Sequence, residues 1–204
     1  MNTQIKSIPE IIENSLSNAF TYSEFKDKVK AVAEIGKSTG NDPDNKDLAN
    51  YTKLTYARIK RLDKTLKIDA HITKKVQAVD NPITWIILTE SWCGDAGQTI
   101  PVINKIAELN PNIDLKLLLR DDNDDLMNEF LTNGGKSIPK LIMYNTETKE
   151  VKNTWGPRPT EATKLVNDYK ETHGQLTPEF KKDLQVWYNN DKGKNTAEDL
   201  IKLL

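Results

Sequence analysis

The sequence T-W-I-I-L-T-E-S-W-C-G-D-A-G-Q-T-I-P, residues 84–101, decides the fold. Its first part, residues 84–88, is a continuous apolar run, which is typical of a strand buried on both faces. The chain then continues with apolar side chains three residues apart, at Ile100, Ile103 and Ile106, which predicts a helix. The sequence therefore predicts a buried strand that runs directly into a helix.

The single cysteine of the chain, Cys93, lies where this strand gives way to the helix. Free backbone N–H groups and the helix dipole favour an anion at a helix N-terminus, so this position makes Cys93 a candidate nucleophile with a pKa below that of a free cysteine. Taken without further context, a lone cysteine is more often buried and inert. Trp92 would flank the thiol with a flat apolar surface, and Gly94 would let another backbone approach closely. Asp95 would oppose a neighbouring thiolate. We expect Asp95 and Glu90 to lie at the surface.

The residues that follow predict a complete sheet. Residues 113–119 predict a second strand, and residues 124–132 predict a short helix. Residues 140–144 and 151–155 predict a β-hairpin, and residues 160–171 predict another helix. We therefore predict an α/β fold in which two parallel strands lie beside an antiparallel hairpin, with helices on both faces.

The two ends of the chain are predicted to be helical. Near the N-terminus one apolar stripe follows helical spacing, at Ile5, Ile8, Ile12 and Leu16. We predict a helical extension over residues 1–80 packed on a domain of residues 81–174, and a C-terminal helical segment over residues 175–204. Thr177 and Pro178 are suited to begin a helix in that segment.

Composition excludes several classes of protein. The 204 residues carry 29 Lys and Arg against 30 Asp and Glu, a net charge of −1, and only four of the cations are Arg. A uniformly basic nucleic-acid binder is therefore excluded.

Residues 53–75 are locally basic. They form either a surface for an anionic partner or a solvated helix face, and we favour the solvated face. The acidic run over residues 121–125 lacks the spacing of a calcium loop.

Localisation and metal binding follow from what the sequence lacks. One cysteine cannot form an intrachain disulfide. We find neither a secretory signal nor an apolar run long enough for a membrane span, and we expect a cytoplasmic protein. His71 and His173 have no partners at metal-ligand spacing, so we expect no metal site.

Three features in this order resemble the thioredoxin superfamily. They are Trp92-Cys93-Gly94-Asp95-Ala96, Pro101 eight residues after the cysteine, and Ser137-Ile138-Pro139 before a later strand. In that family a W-C-G-P-C motif begins a helix that a proline kinks, and a cis-proline faces the cysteines. The resemblance covers residues 82–172 and implies a thioredoxin-like three-layer fold with a mixed central sheet. With its helical N-terminal part and T-E-S-W-C-G-D at 89–95, the chain resembles small bacterial thioredoxin-like proteins.

Gly156 also matches a family glycine, whereas two positions depart from the pattern. Thioredoxins carry a second, resolving cysteine three residues after the first, and this position is Ala96 here. They also carry a buried aspartate six residues before the first cysteine, and this position is Ile87. The groups that resolve a mixed disulfide within one chain are therefore absent.

The resemblance implies a catalytic cysteine and a groove beside it. The implied catalytic residue is Cys93, and the implied substrate-binding residues are Trp92, Gly94, Asp95, Ile138, Pro139 and Lys140. Lys140 would hold an anionic thiol or lower the pKa of Cys93, or else be a solvated lysine. Arg158 would reach the same rim or stabilise a rigid turn, and we favour the turn.

Two functions remain open. The first is monothiol thiol–disulfide exchange through Cys93 with a disulfide-containing or thiol protein, in which an external thiol such as glutathione resolves the mixed disulfide. The second is a non-catalytic peptide-binding module that uses the groove between Cys93 and Pro139. A sensor that dimerises through Cys93 is a weaker third option. The sequence predicts neither the oligomeric state nor the physiological substrate.

Overall fold

A computed structural model describes residues 6–204, so Ile5 of the predicted N-terminal stripe lies outside the described residues. The helices are α1 (Ile8–Leu16), α2 (Tyr22–Glu34), α3 (Lys46–Thr65), α4 (Ala70–Gln77), α5 (Ala96–Ala107), α6 (Asp124–Glu129), α7 (Thr160–His173), α8 (Pro178–Asp191) and α9 (Lys194–Ile201). The strands are β1 (Ile83–Thr89), β2 (Ile113–Leu119), β3 (Lys140–Asn145) and β4 (Glu150–Trp155).

The four strands form one mixed sheet in the order β2-β1-β3-β4. β1 is parallel to β2, with Trp85 opposite Leu115, and β3 and β4 form an antiparallel hairpin that pairs with β1. The prediction of an α/β thioredoxin-like fold with two parallel strands and a hairpin is confirmed. The helix predicted over residues 124–132 is shorter and ends at Glu129, because Phe130 leaves helical geometry and Thr132 then pairs with Gly135.

The two central strands, β1 and β3, are buried on both faces, in agreement with their apolar sequences. Every residue of β3 is buried, and so is every residue of β1 after Ile83. On the edge strand β4 the residues alternate between exposed and partly buried, as a half-covered strand does. Ile87 is fully buried and pairs with Leu117 and Leu141, so the position of the family's buried aspartate is part of the apolar core.

The helices before β1 share the core of the sheet. Ile12, Phe25 and Ile59 belong to the same buried cluster as the strands. Thr21 begins α2 with a capping box, in which its hydroxyl accepts from the N–H of Glu24 at 3.3 Å. The boundaries at residues 80 and 174 stay predictions.

The C-terminal residues form two helices that join different parts of the molecule. On α9, Leu200 and Ile201 belong to the main core. On α8, Leu184 and Tyr188 form a second, smaller cluster with buried side chains of α7. Gly193 connects the helices with φ +81°, and a Cβ there would lie 2.6 Å from a methyl of Val102. This close approach brings the C-terminal helices against α5.

Candidate functional site

Cys93 lies in the tight turn between β1 and α5. Its N–H donates to the carbonyl of Glu90 at 3.1 Å, and its carbonyl accepts from the N–H of Gly97 at 3.2 Å. The hydroxyl of Thr55 on α3 donates to the same carbonyl at 3.2 Å. These bonds fix the cysteine at the beginning of the helix, where its side chain is only 5% exposed.

A cis-proline lies opposite the thiol, in the arrangement that the resemblance implied. The Ile138–Pro139 peptide bond is cis, and the thiol of Cys93 donates to the carbonyl of Ile138 at 3.3 Å. Gly156 adopts φ +110°, and a Cβ at this position would lie 2.2 Å from the carbonyl oxygen of Pro139. The glycine therefore allows the chain after β4 to pack against the cis-proline.

Asp95 is buried, so its predicted place at the surface is wrong. The carboxylate is 8% exposed, forms an ion pair with Arg158 at 2.7 Å and accepts from the hydroxyl of Tyr188 at 3.0 Å. Burial raises the pKa of Asp95, while Arg158 and Tyr188 oppose this shift. Arg158 reaches into the site, and the interpretation that it only stabilises a turn is therefore wrong.

The thiol of Cys93 is held in its protonated form. Burial and then the negative charge of Asp95 raise its pKa to about 12, against the weaker opposite effects of the N–H groups of Ala96 and Asp95 and of the charge of Arg158. The expectation of a pKa below that of a free cysteine is wrong for this state, because desolvation outweighs the helix N-terminus.

Glu90 is also buried, contrary to expectation. It is 0% exposed, and its carboxylate accepts from the hydroxyl of Thr39 and from the N–H of Asp121 at 2.9 Å. Thr39 and Ser91 exchange two further hydrogen bonds, of 2.9 and 2.8 Å. Burial raises the pKa of Glu90. This network ties the loop before α3 to the end of β1.

Lys140 does not lie in the groove beside Cys93. It begins β3, is 7% exposed and donates to the hydroxyl of Thr132 at 3.3 Å. Burial lowers its pKa. Its burial disagrees with the interpretation as a solvated side chain. Its position away from the groove disagrees with the interpretation as a group that holds an anionic thiol.

A groove of about 750 Å³ lies over the thiol. Of the predicted substrate-binding residues, Trp92, Gly94, Asp95 and Ile138 line it together with Cys93, whereas Pro139 and Lys140 do not. The other walls come from α3, the loops after β2, before β3 and after β4, and from α8. They consist of Leu48, Tyr51, Leu54, Arg58, Arg120, Lys136, Ser137, Pro157, Arg158, Leu176, Pro178, Lys181, Lys182, Leu184 and Gln185.

The sequence did not predict that α3 and α8 contribute to the groove. Arg58 lies beside the cysteine turn, since a Cβ on Gly94 would lie 3.2 Å from its Nη1. The space at Gly94 is therefore used by a side chain and not by another backbone. Gln185 of α8 accepts from Gln98 of α5 at 3.0 Å, and Tyr188 contacts Asp95. The scarcity of Arg was a usable signal, because three of the four arginines line this groove.

Trp92 is covered by a cation. The guanidinium of Arg120 lies 5.1 Å from the centre of the indole ring, and Arg120 also pairs with Asp121 at 2.7 Å. This arrangement fixes one wall of the groove beside the cysteine.

Among residues 6–204, no group of three acidic, histidine or cysteine side chains is arranged to hold a metal ion. None of the helices described within those residues has the length and hydropathy needed to cross a bilayer.

The mixed sheet, the cysteine in the turn before α5 and the opposing cis-proline define a protein of the thioredoxin-like class with a single cysteine. A family model described as Thioredoxin matches residues 41–170, and the chain therefore belongs to the thioredoxin family. The match begins before α3, so it includes part of the predicted N-terminal extension.

Two solved structures share this fold over most of their length. A crystal structure of a protein of unknown function from Pseudomonas aeruginosa is 16% identical, with a TM-score of 0.56, and the alignment covers 90% of this chain and 96% of that one. An HIV epitope-scaffold is also 16% identical, with a TM-score of 0.57 and coverage of 90% and 97%. No curated protein matches the chain.

Proposed function

We propose that this chain carries out thiol–disulfide exchange through Cys93 alone. The observation that carries the proposal is the geometry at the thiol: Cys93 lies in the turn before α5, faces the carbonyl before cis-Pro139, and lines a groove of about 750 Å³. A groove of this size accepts a substrate, since ligand sites commonly measure about 300–1,000 Å³. Trp92 and Ile138 supply its apolar walls beside the sulfur.

The exchange begins when Cys93, as a thiolate, attacks one sulfur of a target disulfide. A new S–S bond joins Cys93 to that sulfur, and the other target sulfur leaves as a thiolate. The proton lost by Cys93 is balanced by the proton that the leaving thiolate takes up. Ala96 stands at the position of a resolving cysteine, so a second molecule has to release the target.

An external thiol completes the reaction. Its thiolate attacks the mixed disulfide, forms a new disulfide with the target sulfur, and leaves Cys93 reduced. A low-molecular-weight thiol such as glutathione has the required chemistry. The single cysteine is consistent with a reducing compartment, and we propose a cytoplasmic location in a bacterium.

The raised pKa of Cys93 sets a condition on this function. A thiol with a pKa of about 12 contains very little thiolate at neutral pH. A partner in the groove changes this balance if it increases the hydration of the sulfur or moves Asp95 away from it. We therefore propose that the free protein holds an unreactive thiol and that attack follows binding of the partner.

The same pKa favours a second candidate, a thioredoxin-fold module that binds an extended peptide in this groove without exchange. Buried structural thiols are inert, and the thiol of Cys93 donates to the carbonyl of Ile138 instead of standing free. In this alternative the cysteine completes the wall of the groove.

Mass spectrometry of a trapped adduct tests the two candidates. The folded chain is incubated with a peptide carrying an activated disulfide, and we expect one peptide adduct that is absent in Cys93→Ser and that glutathione releases. If the chain forms the adduct only after unfolding in guanidinium, the exchange function is wrong. Binding of the same peptide by Cys93→Ser would then support the binding module.

A further inference from the structure

Half of the cations that line the groove have no acidic partner in the described part of the chain. Six lining residues are Lys or Arg, and Asp95 is the only lining carboxylate. Arg158 pairs with Asp95, while Arg120 pairs with Asp121 and Lys136 with Asp124. Arg58, Lys181 and Lys182 form no ion pair with any residue that the structure describes. The groove therefore carries positive charge on several sides although the chain has a net charge of −1.

Arg58 is the most informative of these cations. It is half-buried next to Gly94 and makes neither a hydrogen bond nor an ion pair within residues 6–204. Burial lowers the pKa of Arg58, and the negative charge of Asp95 opposes this shift only in part. A partly buried guanidinium that has no carboxylate in direct contact is stabilised by a ligand carboxylate, because the planar donor fork of Arg matches the two carboxylate oxygens.

The distribution of the cations favours an extended ligand. Arg58 lies on α3, while Lys181 and Lys182 lie on α8, on separate elements that line the same groove. A small anion would meet one of these groups, whereas a chain that crosses the groove can meet all of them. Apolar side chains stand among the cations, and Tyr51 and Leu54 of α3 are 45% and 49% exposed. A polypeptide supplies both carboxylates and apolar side chains.

We propose that the groove selects an acidic polypeptide segment, with one of its carboxylates bound by Arg58 beside Cys93. The acidic residues flank the cysteine or disulfide that Cys93 attacks, and Lys181 and Lys182 attract the segment over a longer distance. This inference rests on the proposed function, since it names the partner of the same groove, but it is tested with ligands that contain no sulfur.

The test is titration calorimetry with three decapeptides that share a central serine and the same apolar residues. Their flanking residues are Glu, Gln or Lys. We expect the Glu peptide to bind about tenfold more tightly than the Gln peptide, because a hydrogen bond between two charged groups is stronger than one to a neutral amide, and to lose this preference with rising salt. Equal affinities for the Glu and Gln peptides would overturn the proposal.

Charge variants locate the interaction. Arg58→Gln should weaken binding of the Glu peptide about tenfold and leave the Gln peptide unchanged. Lys53→Gln is the matched control, because it removes one exposed cation from the same helix outside the groove, and we expect less than a twofold effect. Lys181→Glu/Lys182→Glu changes only exposed residues and should also abolish the preference for Glu. A preference that survives both groove variants overturns the proposal.

Competition identifies the class of ligand. Reduced glutathione or a single-stranded oligonucleotide that displaces the Glu peptide as effectively as the unlabelled peptide itself would overturn the proposal, in favour of a small thiol or a general polyanion. Failure of the proposed function has a different result: the Glu peptide binds selectively, but a version of it with an activated cysteine disulfide in place of the central serine never reacts with Cys93. An adduct that forms equally fast with the cysteine disulfide versions of all three peptides would support exchange and contradict acidic selectivity.

Discussion

Two buried carboxylates lie on either side of Cys93, and they differ in what holds them. Glu90 accepts from neutral groups, the hydroxyl of Thr39 and the N–H of Asp121. Asp95 is held by the charge of Arg158 and by the hydroxyl of Tyr188, and it faces the groove. Burial raises the pKa of both. After burial, the negative charge of Asp95 is the largest cause of the raised pKa of the thiol.

The carboxylates of Glu90 and Asp95 therefore have different roles. Glu90 joins the loop before α3 to the sheet, so its removal should mainly affect folding. Asp95 joins the chain after β4 and α8 to the cysteine turn, so its removal should mainly affect the thiol. A pair of matched acid-to-amide variants, five residues apart, can separate the two effects.

The largest expected effect is on stability. Glu90→Ala leaves the hydroxyl of Thr39 and the N–H of Asp121 without their buried acceptor, and each unsatisfied group costs about 1–3 kcal/mol. We expect the free energy of unfolding in urea to fall by about 3 kcal/mol. Glu90→Gln keeps an acceptor oxygen and should lose less. If Glu90→Ala lowers the free energy of unfolding by less than about 1 kcal/mol, the structural role of Glu90 is wrong.

The next effect is on the reactivity of the thiol. Asp95→Asn removes the negative charge that raises the pKa of Cys93 and leaves Arg158 to favour the thiolate. A lowering of this pKa by about one unit would raise the rate of alkylation by iodoacetamide at pH 8 about tenfold.

Glu90→Gln is the matched control for this measurement, because it also converts a buried carboxylate to an amide, but at a residue that does not line the groove. It should leave the alkylation rate within about twofold. Equal acceleration in the two variants would mean that loosening of the turn, and not the charge of Asp95, exposes the thiol.

The strands, the cysteine turn and the cis-proline could be predicted from the sequence, because local periodicity and motif spacing determine them. The burial of Glu90 and Asp95 could not. The hydroxyl partners of the two carboxylates, Thr39 and Tyr188, are 51 and 93 residues away in the chain. A charged residue is expected at the surface unless distant groups pair with it. The lowered pKa predicted for Cys93 failed for the same reason, since local sequence reveals the helix N-terminus but not the desolvation.

The pH dependence of stability gives a smaller effect with a definite sign. The thiol has an ordinary pKa of about 9 in an unfolded chain and a pKa of about 12 in the folded one. Its contribution to stability is therefore fully present below pH 9 and is lost as the pH rises toward 12. Between pH 8 and pH 10, the wild type should lose about 1 kcal/mol more than Cys93→Ser.

The same pH series separates the two carboxylates. Glu90→Gln should retain this loss, whereas Asp95→Asn should reduce it, because the folded thiol then ionises at lower pH. Chemical denaturation at each pH measures these differences. Parallel stability curves for the wild type and Cys93→Ser would contradict the raised pKa.

The smallest effect concerns the attachment of α8. Tyr188→Phe keeps the ring in its cluster but removes the hydrogen bond to Asp95, and such a bond is worth about 1 kcal/mol. Hydrogen exchange should then become faster in α8, while the loop before α3 keeps its protection because Glu90 and Thr39 still hold it. Glu90→Gln should have the reverse pattern. If both variants loosen both segments, the two carboxylates belong to one cooperative unit, and the separation of structural and thiol-directed roles is wrong.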